Sequence, residues 1–327
     1  MRTIIFIITF IFISISLYSQ LPDEHLKEMV LNNNIKSITQ WNHKFKDGKF
    51  SKEGYKNAYK AFDENGNIVK EEYYRQGDIN QKLSYKYDDN QLKTEYENYD
   101  VSNDEVSFRQ IIDYNDDGKK IKEERYNGSD LYEMEYKYDA KGNRTEIIKK
   151  KRKENGSGQD YELTERRVYN KEGKTTTIEV LTPDDELTKT IVNEYDNDGN
   201  LIKFTEYNQN EKKTKQIEYE YNEKQQKLAE TKHQHGNFIY EKKFHYNDRG
   251  DLVEIQKEEP KEEVFISKVF EYDTNDNVAK ELRYEPSADK YSHKIFAYDE
   301  EGILQEVEVY YATYDYKIQY KFDYEFF

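Results

Sequence analysis

Tyr195-Asp196-Asn197-Asp198-Gly199-Asn200-Leu201 is the stretch on which the reading of this chain turns. Asp196 can fold its side chain onto backbone N–H groups ahead of it. Gly199, four places after the tyrosine, supplies the positive φ of a type I turn closed by a one-residue bulge. Such a turn sets Tyr195 opposite Leu201, an aromatic–aliphatic cross-strand pair. The stretch reads as a β-hairpin, and the chain repeats it.

An aromatic followed by Asp or Asn recurs at Phe62-Asp63, Tyr87-Asp88, Tyr114-Asn115, Tyr138-Asp139, Tyr169-Asn170, Tyr195-Asp196, Tyr221-Asn222, Tyr246-Asn247, Tyr272-Asp273 and Tyr298-Asp299. The spacings run from 24 to 31 residues, with 26 the commonest. Phe322-Asp323 reads as a truncated last copy. The turn-forming residues this predicts include Asp63 and Gly66, Asn115 and Gly118, Asp139 and Gly142, Asp196 and Gly199, Asn247 and Gly250, and Asp299 and Gly302. Gly173 stands in the same place after Tyr169. Six places after the anchor come Ile68, Leu201, Leu252, Val278 and Leu304. Two places before it come Tyr85, Ile112, Tyr136, Tyr219, Phe244, Phe270 and Phe296, while Lys or Glu often stands one place before. A period of two with one aromatic and one charged face is a strand signal.

The expected fold is all-β: tandem hairpins joined into one long antiparallel meander of about twenty strands, with period about 26. A sheet that wide curls, so the meander is expected to be curled or spiralling, with its aromatic face concave. Three segments follow: residues 1–19 as a signal peptide, 20–45 as an N-terminal cap of a short helix (23–31) and a first strand containing Trp41, and 46–327 as the repeat array.

Composition bounds the rest. The 327 residues carry 51 Lys+Arg against 67 Asp+Glu, a formal charge of −16, and 36% are charged. A mean hydropathy of −1.18 would suit a disordered chain, but 32 Tyr and 16 Phe do not. The absence of Cys excludes disulfides, Cys-based zinc sites, a thiol nucleophile and a lipid-modified N-terminal Cys. The acidic balance opposes binding to nucleic acid or anionic lipid. Met1-Arg2, an apolar run from Ile4 to Ile15 and small residues at Ser14, Ser16 and Ser19 form the pattern of a secretory signal, cut after Ser16 or Ser19. The run is shorter than the ~20 residues a spanning helix needs, and no later segment is apolar enough. The mature chain is expected to be periplasmic or secreted, with no membrane span and no lipoprotein anchor.

The core Tyr-Asp-x-x-Gly-Asn at 138–143 and 195–200, with Phe62-Asp63-Glu64-Asn65-Gly66-Asn67 close behind, resembles the YD repeat of the RHS family. The resemblance covers roughly residues 46–327. It implies an exported or surface protein whose repeats wind into a hollow β-shell. Some members enclose a C-terminal toxin, and others are linked to carbohydrate or cell-surface binding. This chain lacks the core segment that ends such shells and continues no further than the repeats, which counts against a self-cleaving toxin cage.

Site candidates are few. Asp113-x-Asn115-x-Asp117-Gly118 with Glu124 has calcium-loop spacing, but it is also copy three of the hairpin, with Lys119, Lys120 and Lys122 opposing a cation. His233 and His235 share a strand face, while His245 is too far along the sheet to join them. The run Lys149–Lys153 reads as part of a lengthened, solvated loop. A lipid-facing barrel is disfavoured because Arg167 and Asn193 interrupt the aromatic face. No nucleophile elbow, phosphate loop or zinc-protease motif occurs, and no cofactor or metal is expected. The remaining candidate is an aromatic ligand-binding face of Tyr136, Tyr138, Tyr219, Tyr221, Tyr246, Phe270 and Tyr272, against the simpler reading that these rings only pack the sheet. The function that follows is a non-enzymatic scaffold binding carbohydrate or envelope-protein partners. A shell component of a toxin system is the second reading and a glycan-degrading enzyme the third.

Overall fold

The computed structural model describes residues 23–75, 77–153, 160–286 and 289–327; the signal-peptide reading falls outside them. Twenty-two antiparallel strands close into a barrel. Each strand pairs with the next in sequence, and the first (Ile35–Lys46) also pairs with the last (Tyr316–Phe326) from Ile35↔Phe326 to Lys44↔Ile318. A further two-residue strand, Lys49–Phe50, folds back on the end of the first. The meander is as expected, but the open sheet is not. The first strand is no edge cap: it is held on both sides, by the last strand and by Tyr55–Phe62.

Closure has a local cause. Nine hairpins place the anchor opposite the residue six places on, as at Tyr195↔Leu201 and Tyr246↔Leu252, and then skip a residue, so that Glu194 faces Lys203 and His245 faces Glu254. The skipped residue is a bulge, and bulges bend and twist the strand that carries them. Repeated at the same end of nearly every hairpin, the bend accumulates until the two ends of the sheet meet. Meeting also removes both exposed edges.

The seam is where the core lies. The helix Asp23–Asn32 presents Leu26, Met29 and Val30 at helical spacing. Leu26 and Val30 pack with Ile35, Ile38, Phe62, Leu304, Val307, Val309, Ile318, Tyr320 and Phe322. After the helix the chain turns at Asn34, which takes a left-handed φ of 51°, and the first strand begins at the next residue. Away from the seam the wall is a single layer. Between Lys93 and Val278 only Ile112, Glu123, Met134, Val180, Thr205 and Ala229 are buried among the described residues, so neither face there is covered by a second sheet.

Three local expectations are corrected. Copy five is not the common turn: its strand runs from Tyr161 through Tyr169 to Glu172, and Tyr169 faces Ile178. The Lys149–Arg152 part of the basic run is strand, with Lys151 Nζ 2.8 Å from Asp130 Oδ1 and Lys149 Nζ 4.6 Å from the Tyr132 ring centre. The last copy is anchored by Tyr324 rather than Phe322, as its hydroxyl bond shows below.

Candidate functional site

The repeat motif is first a construction device. In copy six Asp196 Oδ1 accepts the N–H groups of Asp198 and Asn200 at 2.9 and 2.8 Å, and Asn200 Nδ2 donates to Oδ2 at 2.9 Å. Asp63, Asn115 and Asp139 likewise accept the N–H groups two and four places on, and Asn247 accepts those of Gly250 and Asp251. Asp299 Oδ1 accepts Ile303 N–H at 2.7 Å. The residue four places after the anchor is left-handed in all ten copies, including those with Gln91, Gln225 and Asp276 in place of glycine. Hydrogen bonds from the Asn side chain four places on and from backbone N–H groups of the turn hold the carboxyls of Asp139, Asp196 and Asp273 below the ordinary range; burial pushes the other way and is the largest influence at Asp273. The calcium-like segment is one of these turns, and Glu124 is spent on Lys122 Nζ at 2.9 Å.

The anchors are tied one copy to the next. Eight anchor tyrosines donate their hydroxyl to the backbone carbonyl six places after the preceding anchor. Tyr87 reaches Ile68 O at 2.9 Å, Tyr114 reaches Lys93 O at 2.9 Å, and Tyr138 reaches Lys120 O at 2.7 Å. Tyr221, Tyr246, Tyr272 and Tyr298 reach Leu201, Lys227, Leu252 and Val278 at 2.8–3.1 Å, and Tyr324 reaches Leu304. Among the described residues the series breaks only at Tyr169 and Tyr195, on either side of the altered hairpin. Phe62, with no copy before it, has no hydroxyl and is buried in the seam instead.

Of the seven candidate aromatic residues, Tyr138, Tyr221, Tyr246 and Tyr272 are thus anchors with engaged hydroxyls. Tyr136 donates to Glu123 Oε2 at 2.7 Å. Tyr219 has Lys227 Nζ 4.8 Å from its ring centre, and Phe270 has Lys268 Nζ at 5.8 Å. All seven lie on the anchor face, spread over strands from Leu131–Tyr138 to Phe265–Tyr272, and do not converge on one cleft. A shallow depression between the turns of copies three and four touches Tyr136 and Tyr138, with Asn115, Asp117 and Asp139 at its rim.

The residues missed in the sequence are four glutamates nine places after their anchors: Glu71, Glu123, Glu230 and Glu281. A strict period of two would set them on the outer, charged face; the bulge rotates them to the anchor face. Glu123 is fully buried. It accepts from Gln110 at 2.7 Å, Tyr136 at 2.7 Å, Lys120 at 2.8 Å and from Arg125. Burial raises its pKa, yet these donors outweigh burial and bring it from an ordinary 4.5 to about 2. Glu71, against Lys60, Tyr73 and Tyr85, is likewise held low against its burial. Glu230 and Glu281 each sit between two lysines and are also held low. The two-histidine idea dissolves: His235 lies in the turn itself with φ 49°, and the His233 ring stacks edge-on against Phe238 at 5.8 Å.

The family model described as a protein of unknown function (DUF2963) matches residues 182–233, two copies of the repeat. A sequence search of curated proteins finds no match. Among solved structures, a porin-like protein from Bacteroides uniformis ATCC 8492 aligns over 62% of this chain and 94% of its own, at 11% identity and TM-score 0.31. The TcdB2-TccC3 structure without its hypervariable C-terminal region aligns over 86% of this chain and 18% of its own, at 10% identity and TM-score 0.30. A porin-like protein from Bacteroides vulgatus ATCC 8482 covers 50% of this chain and 92% of its own, at 14% identity and TM-score 0.26. At these scores none of the three carries a functional argument. No helix among the described residues is long and apolar enough to cross a membrane. The chain itself is a closed, repeat-built β-barrel.

Proposed function

We propose that this chain is an exported, non-enzymatic YD-repeat scaffold that binds carbohydrate or another cell-envelope partner on its barrel wall. The observation that carries the reading is the engagement of the motif residues in construction: turn carboxylates, left-handed fourth positions and anchor hydroxyls all hold the wall together. The carboxylates agree with it. Among the described residues, every Asp or Glu whose pKa is displaced is displaced downward. Glycoside hydrolysis needs one carboxyl raised to act as an acid beside one kept ionised. The basic–apolar–Ser pattern of residues 1–19 supports export to the periplasm or beyond.

The test is incubation of the purified chain with a glycan panel and with envelope fragments. Retention without release of new reducing ends is the expected result. Release of reducing ends would make it an enzyme, and retention of nothing would leave a structural role alone. The one-layer wall also favours a second reading, a shell or partner component of a toxin system. Co-purification with the product of a neighbouring gene would select it.

A further inference from the structure

The formal charge of −16 is not spread evenly over the wall. In the strands from Lys227–Gln234 to Lys290–Tyr298 the ladder fixes which side chains share a face. Phe244↔Ile255, Ile255↔Lys268 and Phe270↔Glu281 mark the anchor face. On it Glu230 is shared by Lys227 Nζ at 3.0 Å and Lys242 Nζ at 3.8 Å. Glu281 is shared by Lys268 Nζ at 3.1 Å and Lys294 Nζ at 3.3 Å. Each carboxylate therefore faces two cations. Lys257 and Arg283 add to the same face. Lys257 reaches Glu259 in the next turn, and Arg283 Nε lies 3.7 Å from Glu285. The other face of these strands carries Glu241, Glu254, Glu258 and Glu271 against Lys243 and Lys280.

A second observation is that like charges stand directly opposite one another. Lys242 pairs with Lys257 and Lys268 with Arg283, while on the other face Glu241 pairs with Glu258. Directly opposed like charges destabilise a sheet, so stability alone does not account for this sorting by sign. Burial and the neighbouring Lys268 and Arg283 hold the Lys294 ammonium below the usual lysine range despite Glu281. Tyr240 lies among the cations, with Lys242 and Lys257 4.7 and 5.7 Å from its ring centre. The cations remain reachable: the side chains of Lys242, Lys268 and Arg283 are 34%, 38% and 63% exposed.

We infer that the anchor face of copies seven to nine binds an anionic polysaccharide, carrying carboxylate or sulfate groups along its length. This rests on the carbohydrate-binding reading above and names its ligand class. Cations on six successive strands, ~4.8 Å apart from strand to strand, offer a stepped row to a polymer with regularly spaced charge. Rings beside them (Tyr219, Tyr240, Phe244, Phe270) offer flat apolar surface to sugar rings. Export of the chain favours a polysaccharide over nucleic acid, which offers the same sign of charge.

The test is titration of the purified chain with alginate oligosaccharides, dextran sulfate, neutral dextran, single-stranded DNA and anionic phospholipid vesicles, followed by thermophoresis. Alginate and dextran sulfate are expected to bind and neutral dextran not to, with affinity falling several-fold from low to high salt. The double variant Lys257→Gln/Arg283→Gln is expected to weaken binding about tenfold while its Tm stays level or rises, because it relieves both opposed cation pairs. A loss of Tm with unchanged affinity would assign these cations to structure and overturn the inference. Equal binding of neutral and acidic glycans would overturn the anionic class and leave the carbohydrate reading standing. Binding to DNA or vesicles with no glycan retained would overturn both.

Discussion

Phe62 and Tyr87 are consecutive anchors that differ by one hydroxyl, and their places in the barrel account for it. Tyr87 has a carbonyl of the copy before it to bond, at Ile68, and Phe62 has none. Replacing a donor leaves a half-buried carbonyl unpaired, so Tyr246→Phe should lower stability by about 1 kcal/mol in urea melts. The left-handed turn position gives an opposite sign. Gln225 holds φ 62° without being glycine, and Gln225→Gly should raise stability by about 1 kcal/mol. Glu123 sets a pH dependence. Its folded pKa, about 2, lies below an ordinary 4.5, so its bonds add stability above pH 4.5 that is lost as the pH falls toward 2. Glu123→Gln should be less stable at neutral pH and should lose less on acidification through that window, as read by equilibrium unfolding at each pH. These turns and anchors were legible in the sequence because each is a fixed residue at a fixed offset. The hydroxyl partner was not, since a backbone carbonyl leaves no letter in the sequence.

Hairpins and helix decide closure. Leu26 and Val30 are almost wholly buried against both sides of the seam, and Leu26→Ala should cost about 2–5 kcal/mol, measured as a fall in Tm. Removing the last strand by ending the chain at Asp315 should bare two edges, at Ile35–Lys46 and Leu304–Tyr311. Oligomers in size-exclusion chromatography are the expected result. The strand pattern, the turn register and the N-terminal helix could all be read from the periodicity. The second bulge, seven places after the anchor in nine hairpins, could not, because the skipped residue is Val69 in one copy, Thr94 in another and Ile121 in a third, with no common chemistry. That one unread residue moved Glu71, Glu123, Glu230 and Glu281 to the anchor face and turned an open sheet into a closed one. Copy five was misread for a related reason: Gly173 sits at the expected offset, but the strand runs past Tyr169 and turns later.

The whole molecule is a ring whose beginning and end touch: Phe327 N–H donates to Asn34 O at 3.0 Å. A circular permutant in which a flexible linker spans the ~15 Å helix to join Phe327 to Asp23, with new termini between Lys153 and Asp160, should therefore fold, with a Tm within a few degrees of the parent. Acidic composition described this ring poorly, because charge is sorted by face and a sum over the sequence erases the sorting. The hydroxyl series has a further consequence. Eight tyrosines grip the copy behind them with the same bond, and the unique parts are confined to the seam and the altered hairpin of copy five. A duplicated or deleted unit would thus find both of its neighbours already fitted to it, and the seam would close as before. The circumference of such a vessel is an inheritable dial, set by how many identical staves the gene supplies.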